Sequence, residues 1–249
     1  GAAQPGAYLS GMAWHSHEMV FGFAVAVMAG FLLTAVRNWT GLPTLTGAAL
    51  AGLAALWLLA RLLMLTGPFG IAAIIDVMFL PALGVAIGVP VWRSGNRRNY
   101  KILALLGALA LLNLLFHLAH MNVVSALLER TALMGALDLI AILIAVMGVR
   151  VIPAFTENAI PSVRLRRVLP VEAVAVGTLV LVLAAGLLRP WQPLPAEAWV
   201  ALLALAAATH GIRLLLWQPL QTRGNPLLWM LPMAYTWIPI ALALRALAE

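Results

Sequence analysis

The chain has 249 residues, of which 64% are hydrophobic and only 9% charged, and its mean hydropathy is +1.02. A soluble domain carries about 25% charged residues, so this composition indicates a membrane protein. Cysteine is absent, which excludes disulfides, thiolate metal sites, iron–sulfur clusters and covalently attached c-type haem.

Eight apolar runs follow one another along the chain, separated by short segments rich in Gly, Pro or Arg. Each is long enough to cross about 30 Å of hydrocarbon at about 1.5 Å per residue. Backbone groups in lipid must be hydrogen-bonded internally, so all of the runs are predicted to be helices. The predicted fold is an all-α polytopic transmembrane bundle, a single domain over residues 1–249. The predicted runs are residues 15–36, 45–66, 71–92, 101–121, 132–152, 168–188, 198–217 and 226–247.

The basic residues, which give the chain a net charge of +7, are divided unevenly between the two sides of the predicted bundle. The side that holds the loops after odd-numbered runs collects Arg37, Arg93, Arg97, Arg98, Lys101, Arg150, Arg164, Arg166, Arg167, Arg213 and Arg223. The other side keeps Arg61, Arg130, Arg189 and Arg245. Because Lys and Arg favour cytoplasmic loops, the richer side is predicted to be cytoplasmic. This asymmetry reflects membrane orientation, and no nucleic-acid partner is expected.

Four of the five histidines lie near the outer ends of their runs in this topology. His15 and His17 begin the first run, and His117 and His120 end the fourth. Imidazole suits transition metals, and an ionisable residue in a bilayer is costly enough to indicate a function. We therefore predict a metal or haem site in the outer half of the bundle. The other ionisable residues predicted near this depth are Glu18, Arg61, Asp76 and Asp138.

The histidine spacings leave several arrangements open. His117 and His120 are three residues apart, so they share a helix face and could bind one metal together. Alternatively, one of them faces the core and the other lies among the lipid headgroups. His15 and His17 are two apart and diverge on a regular helix. His210, in the cytoplasmic half of the seventh run, is expected to pair with a group such as Glu172, so the other four histidines are preferred to it as ligands.

Several stretches of the chain resemble the NnrS family. Residues 14–23, WHSHEMVFGF, are similar to the family's WHAHEMLFGF signature, and residues 31–41, FLLTAVRNWTG, resemble the segment that follows it. Further similarities lie at residues 113–119, NLLFHLA, and 148–158, GVRVIPAFTEN. Residues 226–237 resemble a P-L-L-W…Y-x-W region of the family. The resemblance extends over nearly the whole chain.

The resemblance implies a multi-pass protein of the bacterial inner membrane that binds haem and copper. The family is associated with denitrification and with defence against nitric oxide. The implied partners are membrane lipids and nitric oxide or a related small ligand, and no electron donor is identified. Members of the NnrS family look like proteins of about twelve helices, so we expect this chain to lack the family's first and last helices. Pro232 stands where the resemblance leads us to expect a histidine.

The resemblance also suggests roles for the outer residues. Non-covalent b-type haem needs an axial imidazole, and its propionates suit an arginine, here Arg61. Copper prefers imidazole and thioether ligands, and neighbouring carboxylates fix the imidazole tautomer. The expected ligands of the two metals are His15, His17, His117 and His120. The expected orienting carboxylates around them are Glu18, Asp76 and Asp138.

Two other functions fit parts of the same pattern. One is an electron-transfer or quinol-linked b-type haem protein in which both axial positions are closed. The other is an ion- or proton-coupled transporter without metal, which would use Asp76, Asp138 and Glu172. Four histidines at one depth, together with the segment 14–23, favour the metal site. Whether the protein is an enzyme stays open, because no proton route or electron donor can be read from the residues.

Overall fold

The computed structural model describes Leu9 and residues 11–249 of the chain. The fold is 83% helical, and the described residues include no strand and eight helices that are long and apolar enough to cross a membrane. The predicted all-α polytopic fold is therefore confirmed. The eight helices are α1 Gly11–Thr40, α2 Gly47–Thr66, α3 Phe69–Arg93, α4 Tyr100–His120, α5 Leu127–Ala159, α6 Leu169–Leu188, α7 Ala196–Leu216 and α8 Pro226–Leu247.

The helices are longer than the predicted runs at a few ends. The largest difference is in α5, for which the sequence predicts residues 132–152 and the structure has Leu127–Ala159. Pro153 lies directly after the predicted end of this run, and proline lacks the backbone N–H that continues a helix. The helix passes through Pro153, which helices packed against neighbours in a bundle tolerate.

Helix α1 contains a π-helical segment, Glu18–Ala24, between two α-helical parts. A π turn widens the helix and rotates the residues on either side of it relative to one another, and such turns are frequent at functional sites. His17 lies directly before this segment and is buried, whereas His15 is exposed. The predicted divergence of these two histidines is confirmed.

The chain divides into two compact units, Gly1–Ala136 and Leu137–Glu249. In the first unit α3 packs against α1, α2 and α4. In the second unit α7 packs against both α6 and α8. The proposal of a single domain over residues 1–249 stays a prediction.

The orientation of the helices in a membrane can be tested at two exposed serines. Ser94 follows α3 and Ser125 precedes α5, so one spanning helix, α4, separates them. The chain has no cysteine, and the variants Ser94→Cys and Ser125→Cys each introduce one thiol. From the positive-inside rule we expect an impermeant maleimide added to intact cells to label Ser125→Cys and not Ser94→Cys. Unmodified protein is the control, and labelling of both variants from the same side would contradict the topology.

Candidate metal centre

Three buried side chains from three helices of the first unit converge on one point. They are His17 from α1, Asp76 from α3 and His117 from α4, with exposed fractions of 0%, 2% and 1%. Each offers one ligand atom, and these atoms all lie within 4.8 Å of one another. Two imidazoles and one carboxylate at this separation form a set of ligands suited to a transition-metal ion.

The helix faces explain why these three residues meet. On α4 the buried positions include Leu109, Asn113, Phe116 and His117, which follow the spacing of three or four residues that defines one helix face. Asp76 lies on the buried face of α3, one turn after Ala72. The buried residues that follow it on this helix are aromatic or aliphatic. The inward face of each helix is otherwise apolar, so the polar groups can be satisfied mainly by one another.

Asp76 is the acceptor on which the other groups of the site depend. Its Oδ2 atom accepts a hydrogen bond from Asn113 Nδ2 at 2.8 Å. The same oxygen lies 3.0 Å from His117 Nε2 and 3.3 Å from His17 Nε2. Its Oδ1 atom pairs with the Arg61 guanidinium. One carboxylate therefore contacts both histidines and the one cation of the cluster.

Arg61 joins Asp76 to a second carboxylate. Its Nη1 group donates to Glu18 Oε1 at 2.5 Å, and its Nη2 group pairs with Asp76. With neutral imidazoles, one guanidinium and two carboxylates leave the cluster with a net charge of −1. Charges removed from water are tolerated only when they are paired and hydrogen-bonded. A residual negative charge among buried imidazoles favours the binding of a cation.

The His17 ring has an acceptor at each of its nitrogens. Its Nδ1 atom lies 3.3 Å from Glu18 Oε1, and its Nε2 atom lies 3.1 Å from Asn113 Oδ1. A neutral ring carries one hydrogen, so it can donate to only one of them. If a metal takes the lone pair of Nε2, the hydrogen belongs on Nδ1 and is donated to Glu18. A carboxylate that fixes a metal-binding histidine in this way is a recurring feature of metal sites.

Gly22 lets Arg61 and Glu18 approach one another beside α1. A Cβ atom at this position would lie 2.8 Å from Arg61 Nη1 and 2.8 Å from Glu18 Oε2. The carbonyl oxygen of Gly22 accepts a hydrogen bond from Trp57 Nε1 at 3.0 Å, which ties α1 to α2. The π-helical segment that contains both Glu18 and Gly22 thus forms one wall of the site.

Two of the predicted histidines do not join this cluster. His15 is exposed. His120 is half-buried, lies 3.1 Å from Glu129 Oε2 through its Nδ1 atom, and stacks on Phe116. Neither belongs to the group of ligand atoms formed by His17, Asp76 and His117.

The remaining predicted residues lie in the second unit. Asp138 pairs with Arg245. His210 contacts the hydroxyl of Tyr235 and the carbonyl oxygen of Ala175. The expected pairing of His210 with Glu172 is wrong, because Glu172 is bound instead to a guanidinium, that of Arg213.

Asn113 is the residue of the site that the sequence did not single out. It bridges His17 and Asp76, since its amide nitrogen donates to the carboxylate and its oxygen faces the imidazole. Its position four residues before His117 on α4 puts both on one helix face. That spacing, within an otherwise apolar run, is the signal that could have identified it.

An apolar helical bundle with a buried group of two imidazoles and a carboxylate defines a multi-pass membrane protein with a candidate metal centre. The family described as NnrS protein matches residues 1–249, and the chain belongs to the NnrS family. The family is one of membrane proteins associated with the nitric oxide response and known for metal binding. No curated protein and no solved structure matches the chain.

Gly22→Ala should loosen the Arg61–Glu18 pair. The added methyl group needs space that the two charged groups occupy, so we expect a loss of about 1–3 kcal/mol in the free energy of unfolding. The measurement is the unfolding midpoint in detergent. Gly30→Ala is the matched control, because a Cβ atom at Gly30 of the same helix meets nothing within 4 Å. Equal midpoints for the two variants would contradict the assigned role of Gly22.

Proposed function

We propose that His17, Asp76 and His117 bind a metal ion in this member of the NnrS family. The observation that carries the proposal is the convergence of one ligand atom from each of these buried residues within 4.8 Å. Metals in proteins are often bound by two histidines and one carboxylate, which leave coordination positions open to other ligands. Such a set is suited to binding a small molecule directly at the metal.

Of the two cofactors that the family resemblance implies, we propose copper for this site. A haem does not fit between the two histidines, since Asp76 Oδ2 contacts the Nε2 atoms of both rings at 3.3 Å and 3.0 Å. The ring centroids of His17 and His117 are 5.0 Å apart and tilted by 56°, which leaves no slot for a macrocycle. A single ion bound by imidazole nitrogens fits, and imidazole is a preferred copper ligand.

For b-type haem, we propose that an axial ligand comes from the more accessible histidines, His15 or His120. His15 is exposed and His120 is half-buried at the end of α4. Arg61, which was expected to bind a propionate, is instead committed to Glu18 and Asp76.

We propose that the metal centre binds nitric oxide, and that the protein serves the response to nitric oxide or its removal during denitrification in the bacterial inner membrane. The family's association with the nitric oxide response supports this. Nitric oxide is small and soluble in lipid, so it can reach a buried metal without a channel. Glu18 would hold the Nδ1–H of His17, and Asn113 would orient Asp76.

His17→Ala and His117→Ala should each abolish copper binding, because each removes one imidazole ligand. His15→Ala is the matched control: it removes an exposed imidazole two residues from His17 and should leave the copper content unchanged. Copper per folded protein is measured by elemental analysis of purified protein, and haem by its absorption spectrum. The folded fraction is determined by size-exclusion chromatography.

Haem content in the same variants separates the two cofactors. His15→Ala or His120→Ala should lower haem without lowering copper. Full copper content in both His17→Ala and His117→Ala would overturn the proposed centre. The pairing of Glu18, Arg61 and Asp76 would then favour the alternative of ion-coupled transport.

Glu18→Gln should weaken copper binding without abolishing it. The substitution keeps the shape of the side chain but removes the charge that accepts the Nδ1–H of His17 and pairs with Arg61. Loss of such a supporting partner costs about 10–100-fold in metal affinity. The measurement is competition with a copper chelator of known affinity. Glu129→Gln, which changes the carboxylate beside His120, is the control and should leave the affinity unchanged.

A further inference from the structure

One end of the first unit carries exposed arginines that no carboxylate balances. Arg37 lies in the last turn of α1, Arg93 in the last turn of α3, and Arg97 and Arg98 in the short connection from α3 to α4. All four side chains are exposed, and we refer to them together as the basic patch. In the part of the chain that the structure describes, none of the four forms an ion pair with a carboxylate.

The carboxylates of the first unit lie at its other end. The acidic residues of this unit are Glu18, Asp76 and Glu129. Glu18 and Asp76 belong to the candidate metal centre, and Glu129 contacts His120 at the end of α4. Helix α4 begins beside the basic patch, and its 21 residues place the two ends about 30 Å apart. The basic patch therefore keeps a positive charge that the side chains of its own unit do not neutralise.

Hydrogen bonds join the loop of the basic patch to the end of α1. The Asn96 side chain donates from Nδ2 to the carbonyl oxygen of Trp39 at 3.1 Å. Within the loop, Ser94 Oγ donates to the carbonyl oxygen of Val91 at 3.0 Å. Gly95 has a φ of 64°, a left-handed conformation that favours glycine and that makes the turn possible. A loop that is already ordered loses less conformational freedom when a ligand binds to it.

Exposed aromatic side chains flank the arginines of this loop. Trp92, directly before Arg93, is 76% exposed, and Tyr100, two residues after Arg98, is 39% exposed. Trp and Tyr are enriched at the level of the lipid headgroups, where one part of the ring system meets hydrocarbon and the other meets water. Arginines next to these rings lie at the level of the lipid phosphates. This placement favours a lipid as the partner of the basic patch over an acidic protein that approaches from the water.

We propose that the basic patch binds the phosphate groups of anionic phospholipids. A guanidinium donates two parallel hydrogen bonds to phosphate oxygens, and basic residues clustered directly beside a transmembrane helix attract anionic headgroups. A zwitterionic lipid brings its own cation with its phosphate, so it would leave the charge of the basic patch unbalanced. The lipid site lies at the opposite end of the first unit from the candidate metal centre, and its binding does not depend on a metal.

The test is a titration of the protein, purified in an uncharged detergent, with short-chain phosphatidylglycerol. Bound lipid is counted by native mass spectrometry. The variant Arg97→Gln/Arg98→Gln should lose about 25-fold in affinity, because each basic residue near a membrane surface contributes about fivefold. Arg97→Lys/Arg98→Lys should keep most of the affinity, because it keeps both charges. Binding to the unmodified protein should weaken at high salt, since exposed charges are screened.

The matched control is Arg130→Gln/Arg223→Gln, which removes the same charge from exposed positions outside the basic patch and should bind phosphatidylglycerol like the unmodified protein. Short-chain phosphatidylcholine should bind more weakly, and inorganic phosphate should not compete at the same concentration.

Equal affinity for phosphatidylcholine, or equal competition by inorganic phosphate, would overturn the lipid proposal in the unmodified protein alone. Unchanged affinity in folded Arg97→Gln/Arg98→Gln would also overturn it, and would mean that these arginines only orient the chain in the membrane. If that variant does not fold, Arg37→Gln/Arg93→Gln provides the same comparison.

Discussion

The pairing of charge inside an apolar bundle is the constraint on which the rest of this structure depends. The buried Asp76 could not be ionised without partners. Its carboxylate contacts Arg61, Asn113 and the two histidines. Those partners fix the relative rotation of α1, α3 and α4, because each helix must turn its polar residue toward the same carboxylate. The contacts that balance the charge of Asp76 also bring the two imidazoles close enough to bind one ion together.

The sequence alone predicted the fold, and it predicted that His17, Asp76 and His117 lie at one level of the bundle. Hydropathy defines the eight helices because each must be apolar over a membrane-spanning length. The alternation of direction between successive helices then puts His17, Asp76 and His117 near one leaflet. A shared depth, however, does not determine which helices are neighbours, because that also depends on their positions in the plane of the membrane. Asp138 was predicted at a similar depth and instead pairs with Arg245 in the second unit.

Hydrophobic periodicity also does not predict how each helix is rotated about its own axis. A regular helix turns His15 and His17 to different sides but does not say which of them faces the core. The π-helical segment begins at Glu18, directly after His17, and the carboxylate of Glu18 and the ring of Phe21 contact the imidazole. Hydrophobic periodicity assumes a constant turn, so a local change in the turn lies outside what it can predict.

The candidate metal centre and, in the second unit, the group of His210, Arg213 and Glu172 are two polar clusters that satisfy the same electrostatic requirement. Both contain an arginine bound to a carboxylate, and both contain an imidazole. In the second unit every nitrogen of His210 has a defined hydrogen-bond partner, so the ring has no lone pair to spare for a metal. In the first unit His17 faces more acceptors than it has hydrogens, and Asp76 is negative beside it. A cation would resolve that mismatch, which is why we propose the metal site in the first cluster and not in the second.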